Sequence, residues 1–427
     1  MTVNLAGGSS QGHKGRGLMI VFPALSGTNL LRSLGLILTL IVANALDKAM
    51  AAKEVRGTDY EFNGRISREV LENYLARSAT VASLLHLVSD DDLRMMQNTG
   101  VKFAGRVIWM WGGESRIDEM VAKARPFAKR LHAMDPDLIL QGAIFEIVTT
   151  DVEKIAIPEE VFHEFGLPVE DRNFQYQKML YGFGHRHDHW FKGGSVPDMS
   201  RLETRMWFFY VAKRWIDLGL EAIHIGQVAL MDDWDRGHRH WRSLLSRIRA
   251  YGRQKARRHL VLIDAHVPSG GIVHDGILLF DLHSFPCRPK SVEGQPHKAI
   301  LEKGFSDSIY GRSKGGLTPS GWRCESLPYI VELDNFGPSD HPGQYRPEDK
   351  IHVWGWDEIN WFMKQPENYR NEWLRYAYAW VRANDPNGYF QMPLRRFEHY
   401  SASMKPPRGM RQEETIRAIW DELKKNR

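Results

Sequence analysis

From about residue 100 onward, short apolar runs alternate with longer segments in which apolar residues recur at helical spacing. The segment after Ser115 predicts an amphipathic helix, whose buried face comprises Ile117, Met120, Val121, Ala124, Ala128 and Leu131. The run 138–146 (LILQGAIFE) is apolar almost throughout, which is typical of a parallel strand buried on both faces. The alternation therefore predicts an α/β fold.

Counting along the chain gives eight strand candidates with several intervening helices. They are 103–110, 138–146, 222–228, 260–266, 277–283, 329–334, 351–354 and 388–392. Eight is the strand count of a (β/α)8 TIM barrel, and we expect an irregular one because the helices after 260–266, 277–283 and 329–334 are weakly marked. A doubly wound open sheet is the alternative, but no Gly-rich dinucleotide turn follows the first strand.

Ahead of the first predicted strand the pattern is helical. Ser67 is placed to cap a helix that runs to about residue 86, and Ser89 with Asp92 forms a capping box for the next helix, which Gly100 would end. We therefore expect a helical lead-in over 52–100, a barrel domain over 101–400 and a helical tail over 401–427.

The first fifty residues have the three parts of a secretory signal peptide. The apolar run 33–46 (SLGLILTLIVANAL) follows Arg32, is too short to span a bilayer comfortably, and precedes the small-x-small site at 49–51. We expect cleavage after Ala51, export to the periplasm or the medium, and no stable membrane anchor. A buried N-terminal helix is the alternative.

The 427-residue composition excludes disordered, collagen-like and disulfide-scaffold proteins. The net charge of +5 is mild, and the basic run 242–258 alternates with apolar residues as the solvated face of a helix does, so we expect no nucleic-acid partner. In an exported protein Cys287 and Cys324 either pair or remain as two buried thiols. The 14 tryptophans, all beyond residue 100, are unusual.

Polar side chains stand at the ends of six of the predicted strands. In a barrel such ends share one mouth, so we expect a functional site there. The polar groups are Glu146, Gln227, Asp264, His266, Asp281, His283, Glu332, Asp334, Asp357 and Glu358, and Trp109 and Trp111 stand at the end of a seventh strand. Three pairs, Asp264/His266, Asp281/His283 and Glu332/Asp334, have the spacing of two that places both members on one strand face.

Paired carboxylates with aromatic walls are what glycosidic bond cleavage needs, because one acid protonates the leaving oxygen and a second carboxylate attacks or activates water. Glu332 is the first catalytic candidate, with Asp334 on the same face. Glu358 or Asp357 is the second. Sugar rings stack on aromatic side chains. We therefore expect substrate contacts from Trp109, Trp111, Trp354, Trp356, Glu146, Gln227, Asp264, His266, Asp281 and His283. This chemistry needs no cofactor, and the expected partner is a carbohydrate or glycoside.

Two other functions remain open. The two Asp-x-His pairs, with His224 or Glu332 nearby, offer ligands for zinc or manganese and would suit a metal-dependent hydrolase or sugar isomerase. The other is a non-catalytic carbohydrate-binding barrel. The aromatic, histidine-bearing segment 171–192 is expected to form a lid or substrate wall over the mouth rather than a metal site.

The strand-end acids in YIVELDNFG and VWGWDE resemble those of the glycoside hydrolase superfamily of TIM barrels. More narrowly, NGRISREVLENYLARS, DLGLEAIHIGQ and WGWDEINWF are similar to segments of uncharacterised bacterial glycosidase-like proteins. The resemblance spans about residues 60–400 and implies a barrel fold and a broad reaction class. In the large retaining clan a Glu follows strand four and another follows strand seven; here Asp264 and His266 stand after strand four and Glu358 near strand seven.

Overall fold

Two sheets of parallel strands form the centre of the computed structural model, which describes residues 59–86, 88–334, 358–396 and 400–425. In chain order the strands are β1 (Ser78–Ala82), β2 (Phe103–Ile108), β3 (Ile139–Ile144), β4 (Ala222–Gln227), β5 (Leu262–His266), β6 (His283–Pro286), β7 (Tyr329–Glu332), β8 (Gly388–Phe390), β9 (Met392–Arg396) and β10 (Tyr400–Ser401).

The larger sheet has the order β10-β9-β1-β2-β3-β4-β5 and the smaller has the order β6-β7-β8. Every pairing in them is parallel except that of β9 with β10. Only Gln391 separates β8 from β9, whereas no continuous ladder joins β5 to β6 in the described chain. There the Asp281 N–H donates to the Ile263 carbonyl at 2.8 Å. The protein thus has an α/β fold built on parallel strands.

Helices follow most of these strands. They are α1 (Arg68–Ala76), α2 (Asp90–Thr99), α3 (Ile117–Met134), α4 (Glu159–Glu164), α5 (Leu202–Asp217), α6 (Val228–Met231), α7 (Arg239–Lys255), α8 (Glu358–Lys364), α9 (Glu367–Asn384) and α10 (Glu413–Lys425). Single 3-10 turns lie at Leu84–His86, Glu114–Arg116, Thr150–Lys154, Tyr176–Met179, Gly182–Gly184 and Arg236–His238. These helices bury one face against the sheets.

After β5 and β6 the chain forms short hairpins instead of helices. One small sheet has the order Arg323–Cys324, Gly316–Leu317, Ile277–Leu278 and Val273–His274, and two antiparallel pairs join Lys290–Val292 to Gln295–Ile300 and Val148–Thr149 to Gly194–Ser195. The weak helical pattern noted there in the sequence thus corresponds to an absence of helices in the described residues.

A second apolar cluster covers the end of the sheets where the strands begin. Its sheet residues are each the first or second residue of a strand, and they pack on α1 and the segment before it. They are Phe103, Ile139, Ala222, Leu262, Ile330 and Tyr389. The Tyr74 hydroxyl lies 2.8 and 2.9 Å from the carbonyl oxygens of Tyr60 and Asp137 and donates its proton between them, which anchors α1 there. Because this end is closed by apolar packing, the polar strand-end groups gather at the opposite end.

The strand predictions at 103–110, 138–146, 222–228, 260–266 and 329–334 are confirmed within a few residues. The prediction at 277–283 is wrong, because Ile277–Leu278 belongs to a hairpin and the parallel strand begins at His283. The segment 388–392 divides into β8 and the start of β9. The predicted strand 351–354 lies outside the described residues.

The lead-in region contains a strand that the sequence pattern did not indicate. Ser67 caps α1 as predicted, but the helix ends at Ala76 and β1 follows, so the helical prediction to residue 86 is wrong. The run SATVA has no polar alternation, because both faces of this central strand are buried. The Ser89–Asp92 capping box and the helix end at Gly100, where φ is 70°, are confirmed.

Both cysteines are free thiols: Cys287 is buried and Cys324 half-buried. In the part of the chain that the structure describes, no helix combines the length and apolar character that crossing a membrane requires.

Candidate functional site

Two arginines organise the carboxylates at the ends of the strands. Arg106, in β2, pairs with Glu332 at the end of β7 and lies 3.9 Å from Asp334. Its backbone has φ of +58°, which is rare for a side chain of this size, and its N–H donates to Gln141 Oε1 at 3.1 Å. Burial by itself lowers the pKa of this guanidinium, but the neighbouring carboxylates of Glu332 and Asp334 outweigh burial and raise it.

The second arginine, Arg288, follows β6 and has a fully buried side chain that reaches three acids. Its Nη1 donates to Glu358 Oε1 at 2.8 Å and lies 3.5 Å from Asp334 Oδ2, while its Nε donates to Asp307 Oδ1 at 2.6 Å. A buried charge is stable only when it is paired, so these acids and this arginine hold one another in place. Asp334 lies between the two guanidinium groups.

Among the acids that contact Arg288, Glu358 has a pKa that the fold raises. Burial raises the pKa of its carboxyl from 4.5 to about 7, although Arg288 opposes the rise. Its Oε1 accepts from Arg288, but its buried Oε2 has no hydrogen-bond partner among the described residues. A carboxyl in this state carries a proton at mildly acidic to neutral pH and is able to donate it.

Beneath the arginines, polar side chains from most of the parallel strands form one connected layer. Gln141 Nε2 donates to Asp264 Oδ1 at 2.6 Å, and Asp264 Oδ2 lies 2.7 Å from His224 Nδ1. Thr80 donates to Glu332 Oε2 at 2.8 Å, and Ser284 Oγ lies 3.1 Å from His224 Nδ1. Every member is buried. Since polar groups are costly to bury without partners, a connected buried polar layer of this size marks the strand ends above it as a candidate site.

Buried Glu146 and half-buried Gln227 form a further pair at the ends of β3 and β4. The backbone and side-chain N–H groups of Gln227 donate to the two Glu146 oxygens at 2.7 and 2.9 Å. A Cβ at Gly226 would overlap Glu146 Oε2, so this strand end requires glycine. Both predicted substrate contacts are therefore present at the strand ends, but Glu146 has both oxygens occupied.

An aromatic wall, consisting of Trp109, Trp111, Phe145 and Trp190, rises beside the carboxylates. Phe145 contacts Trp109 and Trp111 edge to face at 5.4 and 5.7 Å between ring centroids, and Trp111 contacts Trp190 at 4.9 Å. The Arg106 guanidinium lies 5.7 Å from the Phe145 centroid, which connects the wall to the acids. Trp111 is 39% exposed and so presents a ring to solvent. The segment 171–192 supplies Trp190 and forms part of the wall.

The two Asp-x-His pairs do not converge. Asp264 joins His224 in the interior layer, while His266 Nε2 lies 3.3 Å from Asp307. Asp281 accepts from the Ile263 N–H and from Arg249, at 3.0 and 2.9 Å.

His283 begins a strand instead of ending one. Its Nδ1 lies 2.9 Å from Ser313 Oγ, and burial lowers its pKa to about 3. Asp281 and His283 are thus not strand-end groups of the site. Among the described residues, no three His, Cys, Asp or Glu side chains are grouped so as to hold a metal ion.

Of the predicted site residues, Asp357, Trp354 and Trp356 lie outside the described residues. The structure gathers Glu332, Asp334 and Glu358 around the two arginines, with Trp109 and Trp111 alongside. Sequence reasoning missed Arg106, Arg288, Asp307, Gln141 and Thr80, and it considered His224 only as a possible metal ligand. The signal for Arg106 and Arg288 is an arginine within or directly after an apolar strand, in a chain whose other strand ends supply several acids, because a buried charge requires a partner.

Comparison with known proteins gives no sequence relative: no family model matches the chain, and no curated protein matches it. Among solved structures it is similar to a debranching enzyme from Nostoc punctiforme, with 12% identity over 78% of this chain and 70% of that one and a TM-score of 0.39.

Two further similarities are weaker. The glycoside hydrolase domain of PelA from Pseudomonas aeruginosa has 8% identity, with coverage of 74% and 94% and a TM-score of 0.32. A maltogenic alpha-amylase from Thermotoga neapolitana has 11% identity and a TM-score of 0.31, and this chain spans 47% of its length. Similarities at these scores establish neither a family nor a function.

Proposed function

We propose that this protein is a glycoside hydrolase whose site lies at the mouth of an irregular (β/α)8 barrel. Eight successive strand positions run parallel in chain order, counting β8 and β9 as one, and the single residue Gln391 connects the two sheets. The hydrogen bond from Asp281 to Ile263 brings the chain before β6 alongside β5. These features support closure of the barrel.

The observation that carries the proposal is that one nitrogen, Arg288 Nη1, contacts both Asp334 and Glu358, two acids in different environments. Glu358 is buried with a pKa raised to about 7, whereas Asp334 is more exposed and lies between two guanidinium groups. Two acids whose environments separate their proton affinities are the arrangement that glycosidases use for an acid and a nucleophile.

The spacing of the pair accommodates retention of configuration. Asp334 Oδ2 and Glu358 Oε1 lie 3.5 and 2.8 Å from the shared nitrogen, so these two oxygens are near neighbours. Such proximity is compatible with the roughly 5–5.5 Å between the carboxyl groups of retaining enzymes, and retention is therefore part of the proposal.

In the proposed reaction Glu358 donates its proton to the glycosidic oxygen while an Asp334 oxygen attacks the anomeric carbon. The bond to the leaving group breaks, and a glycosyl ester forms on Asp334. Glu358, now ionised, takes a proton from water as that water attacks the anomeric carbon, which releases the sugar and restores both acids. Arg106 and Arg288 hold Asp334 in position, and the aromatic wall stacks on the sugar.

Glu332, the first candidate from the sequence, has a different proposed role. Its two oxygens are occupied by Thr80 and Arg106, whereas Glu358 has one oxygen without a hydrogen-bond partner among the described residues. We therefore assign Glu332 to positioning Arg106, and through it Asp334, and not to attack on substrate.

The test compares Glu358→Gln and Asp334→Asn with wild type on a panel of aryl glycosides that differ in leaving group. Glu203, a buried acid paired with Arg172 at a distance from the site, provides the matched control Glu203→Gln. Loss of the acid should slow glycosides with poor leaving groups by about 10²–10⁴-fold and dinitrophenyl glycosides far less. Loss of the nucleophile should slow every substrate.

Nuclear magnetic resonance of the first-formed product should show the configuration of the substrate. Equal rates for Glu358→Gln and wild type across the panel would remove Glu358 from the acid role. A wild-type protein that hydrolyses no glycoside but binds carbohydrate would favour the non-catalytic alternative.

We also propose export with cleavage after Ala51, which rests on the signal-peptide pattern of residues 1–51. N-terminal sequencing of the protein secreted by a bacterial host should begin at Ala52. A secreted or cell-retained protein that still begins at Met1 would contradict this.

A further inference from the structure

Beyond the carboxylates, three exposed aromatic side chains lie on two neighbouring connections, and we call them the rim platform: Phe183, His185 and Trp234. Phe183 and His185 belong to the long connection after β3, and Trp234 belongs to the connection after β4. Because β3 and β4 are neighbouring parallel strands, both connections leave the sheet at the same end of the strands, which is the end that carries Glu146 and Gln227. The platform therefore lies on the rim of the proposed mouth.

The rings of the platform are unusually exposed for their size. Phe183 is fully exposed and Trp234 is 38% exposed. The His185 and Trp234 rings are nearly parallel, with an interplanar angle of 10° and centroids 6.2 Å apart. This pair is stacked, and an exposed indole ring offers a flat apolar surface of the kind that the C–H face of a pyranose covers.

The two connections are held together rigidly beneath these rings. Tyr181 is buried, donates its hydroxyl to the Leu230 carbonyl at 3.0 Å, and accepts from the Asp233 N–H at 3.3 Å. Asp233 in turn lies 2.7 Å from His185 Nε2 and accepts from Arg186 Nε at 2.6 Å. A preorganised surface loses little conformational entropy when a ligand binds.

Two features of the backbone maintain the exposure of Trp234 and Phe183. Trp234 lies against Gly182, where a Cβ would come within 3.0 Å of the indole ring, so the glycine permits the close approach. Phe183 has φ of +56°, a conformation that is costly for an aromatic residue. The chain therefore keeps a strained phenylalanine in solvent beside a tryptophan whose position depends on a glycine.

The charges at the platform favour a neutral ligand. Asp233 is paired with both Arg186 and His185, so this carboxylate is compensated by its neighbours. The paired groups at the ring edges retain lone pairs and N–H groups able to bond hydroxyls. Flat rings with hydrogen-bonding edges and a compensated carboxylate match an uncharged sugar chain better than an ionic peptide or a nucleic acid.

We propose that the rim platform binds a pyranose segment of a neutral polysaccharide, away from the bond that is cleaved. The identity of the ligand class rests on the proposed glycosidase function. The same connection that carries Phe183 and His185 also carries Trp190, which contacts Trp111 in the aromatic wall, so the platform and the wall share one connection.

The test is affinity electrophoresis of the full chain in gels that contain soluble starch, galactomannan, xyloglucan or mixed-linkage β-glucan. Wild type should be retarded by at least one of them. Trp234→Ala and Phe183→Ala should each weaken the apparent Kd roughly tenfold, Trp234→Tyr should restore most of the binding, and Ile277→Ala, a change at an exposed apolar residue outside the platform, should have no effect.

Hydrolysis of small aryl glycosides separates this inference from the proposed function, because such substrates are too short to reach the rim. Aryl glycosidase activity that Trp234→Ala leaves unchanged, together with lost polysaccharide binding, supports both. Activity on aryl glycosides without any retardation, or equal retardation of Trp234→Ala, Phe183→Ala and wild type, overturns the platform while leaving the catalytic proposal standing. Retardation that depends on Trp234 without any glycosidase activity supports the platform alone.

Discussion

Replacing Glu358 with glutamine should remove a specific pH dependence from the stability of the fold. The carboxyl has a pKa of about 7 in the folded protein and 4.5 as its reference value. A carboxyl that binds its proton more strongly in the folded state stabilises the fold fully below pH 4.5, and this contribution is lost as pH rises through 7. At 1.36 kcal/mol per pH unit, the difference corresponds to about 3 kcal/mol.

The magnitude rests on burial, because Glu358 is 3% exposed and Arg288 is its only hydrogen-bonding partner among the described side chains. Glu358→Gln keeps the shape and removes the titration. The free energy of unfolding of the variant, relative to that of wild type, should therefore rise by about 3 kcal/mol between pH 4.5 and pH 8, while the activity of the variant falls. The altered contact with Arg288 shifts the free energy of unfolding of the variant equally at both pH values. It therefore does not change the difference between them, which is the quantity compared.

The assay is urea unfolding followed by tryptophan fluorescence at intervals of one pH unit from 4.5 to 8.5, with the slopes compared as well as the midpoints. Glu203→Gln serves as the control for replacing a buried, arginine-paired glutamate elsewhere. Parallel stability curves for Glu358→Gln and wild type over this range would show that Glu358 does not titrate near 7, and the proposed acid would lose its physical basis.

Three more outcomes are expected. Hydrogen bonds from His266 and Arg288 outweigh burial and lower the pKa of Asp307, so Asp307→Asn should destabilise the fold near pH 7, with the loss shrinking as pH falls below 4 in urea unfolding. Trp111→Ala should raise KM several-fold and leave kcat nearly unchanged in steady-state kinetics, because the proposed role of this exposed ring is to stack on the substrate away from the reacting atoms; a selective fall in kcat would contradict this. An aromatic disulfide reagent should count two thiols in denaturant. In the folded protein Cys287 should not react rapidly, because it is buried and burial raises the pKa of its thiol. One thiol or none in denaturant would indicate a disulfide.

Much of the framework follows from the sequence by itself. Continuous apolar runs such as 138–146 and helical spacing such as that after Ser115 specify strands and helices because each burial pattern is local to one element. Capping is equally local, and the Ser89–Asp92 box and Gly100 were readable without the fold. The sequence also located Glu332, Asp334 and Glu358, since carboxylates next to buried strands or helices require partners.

The tertiary structure alone decided which partners those acids have. Arg106 and Arg288 are 182 residues apart in the chain, and no sequence spacing indicates that they share Asp334. Strand β1 was missed because a short run of small residues in a helical context has no periodicity of its own; pairing with β2 and β9 makes it a strand. Likewise the Asp-x-His pairs look equivalent in sequence, but Asp281 lies before its strand begins and Asp264 within one. Whether Glu358 is an acid, and Glu332 a support, depends on burial and on charges from distant segments, which only the folded chain brings together.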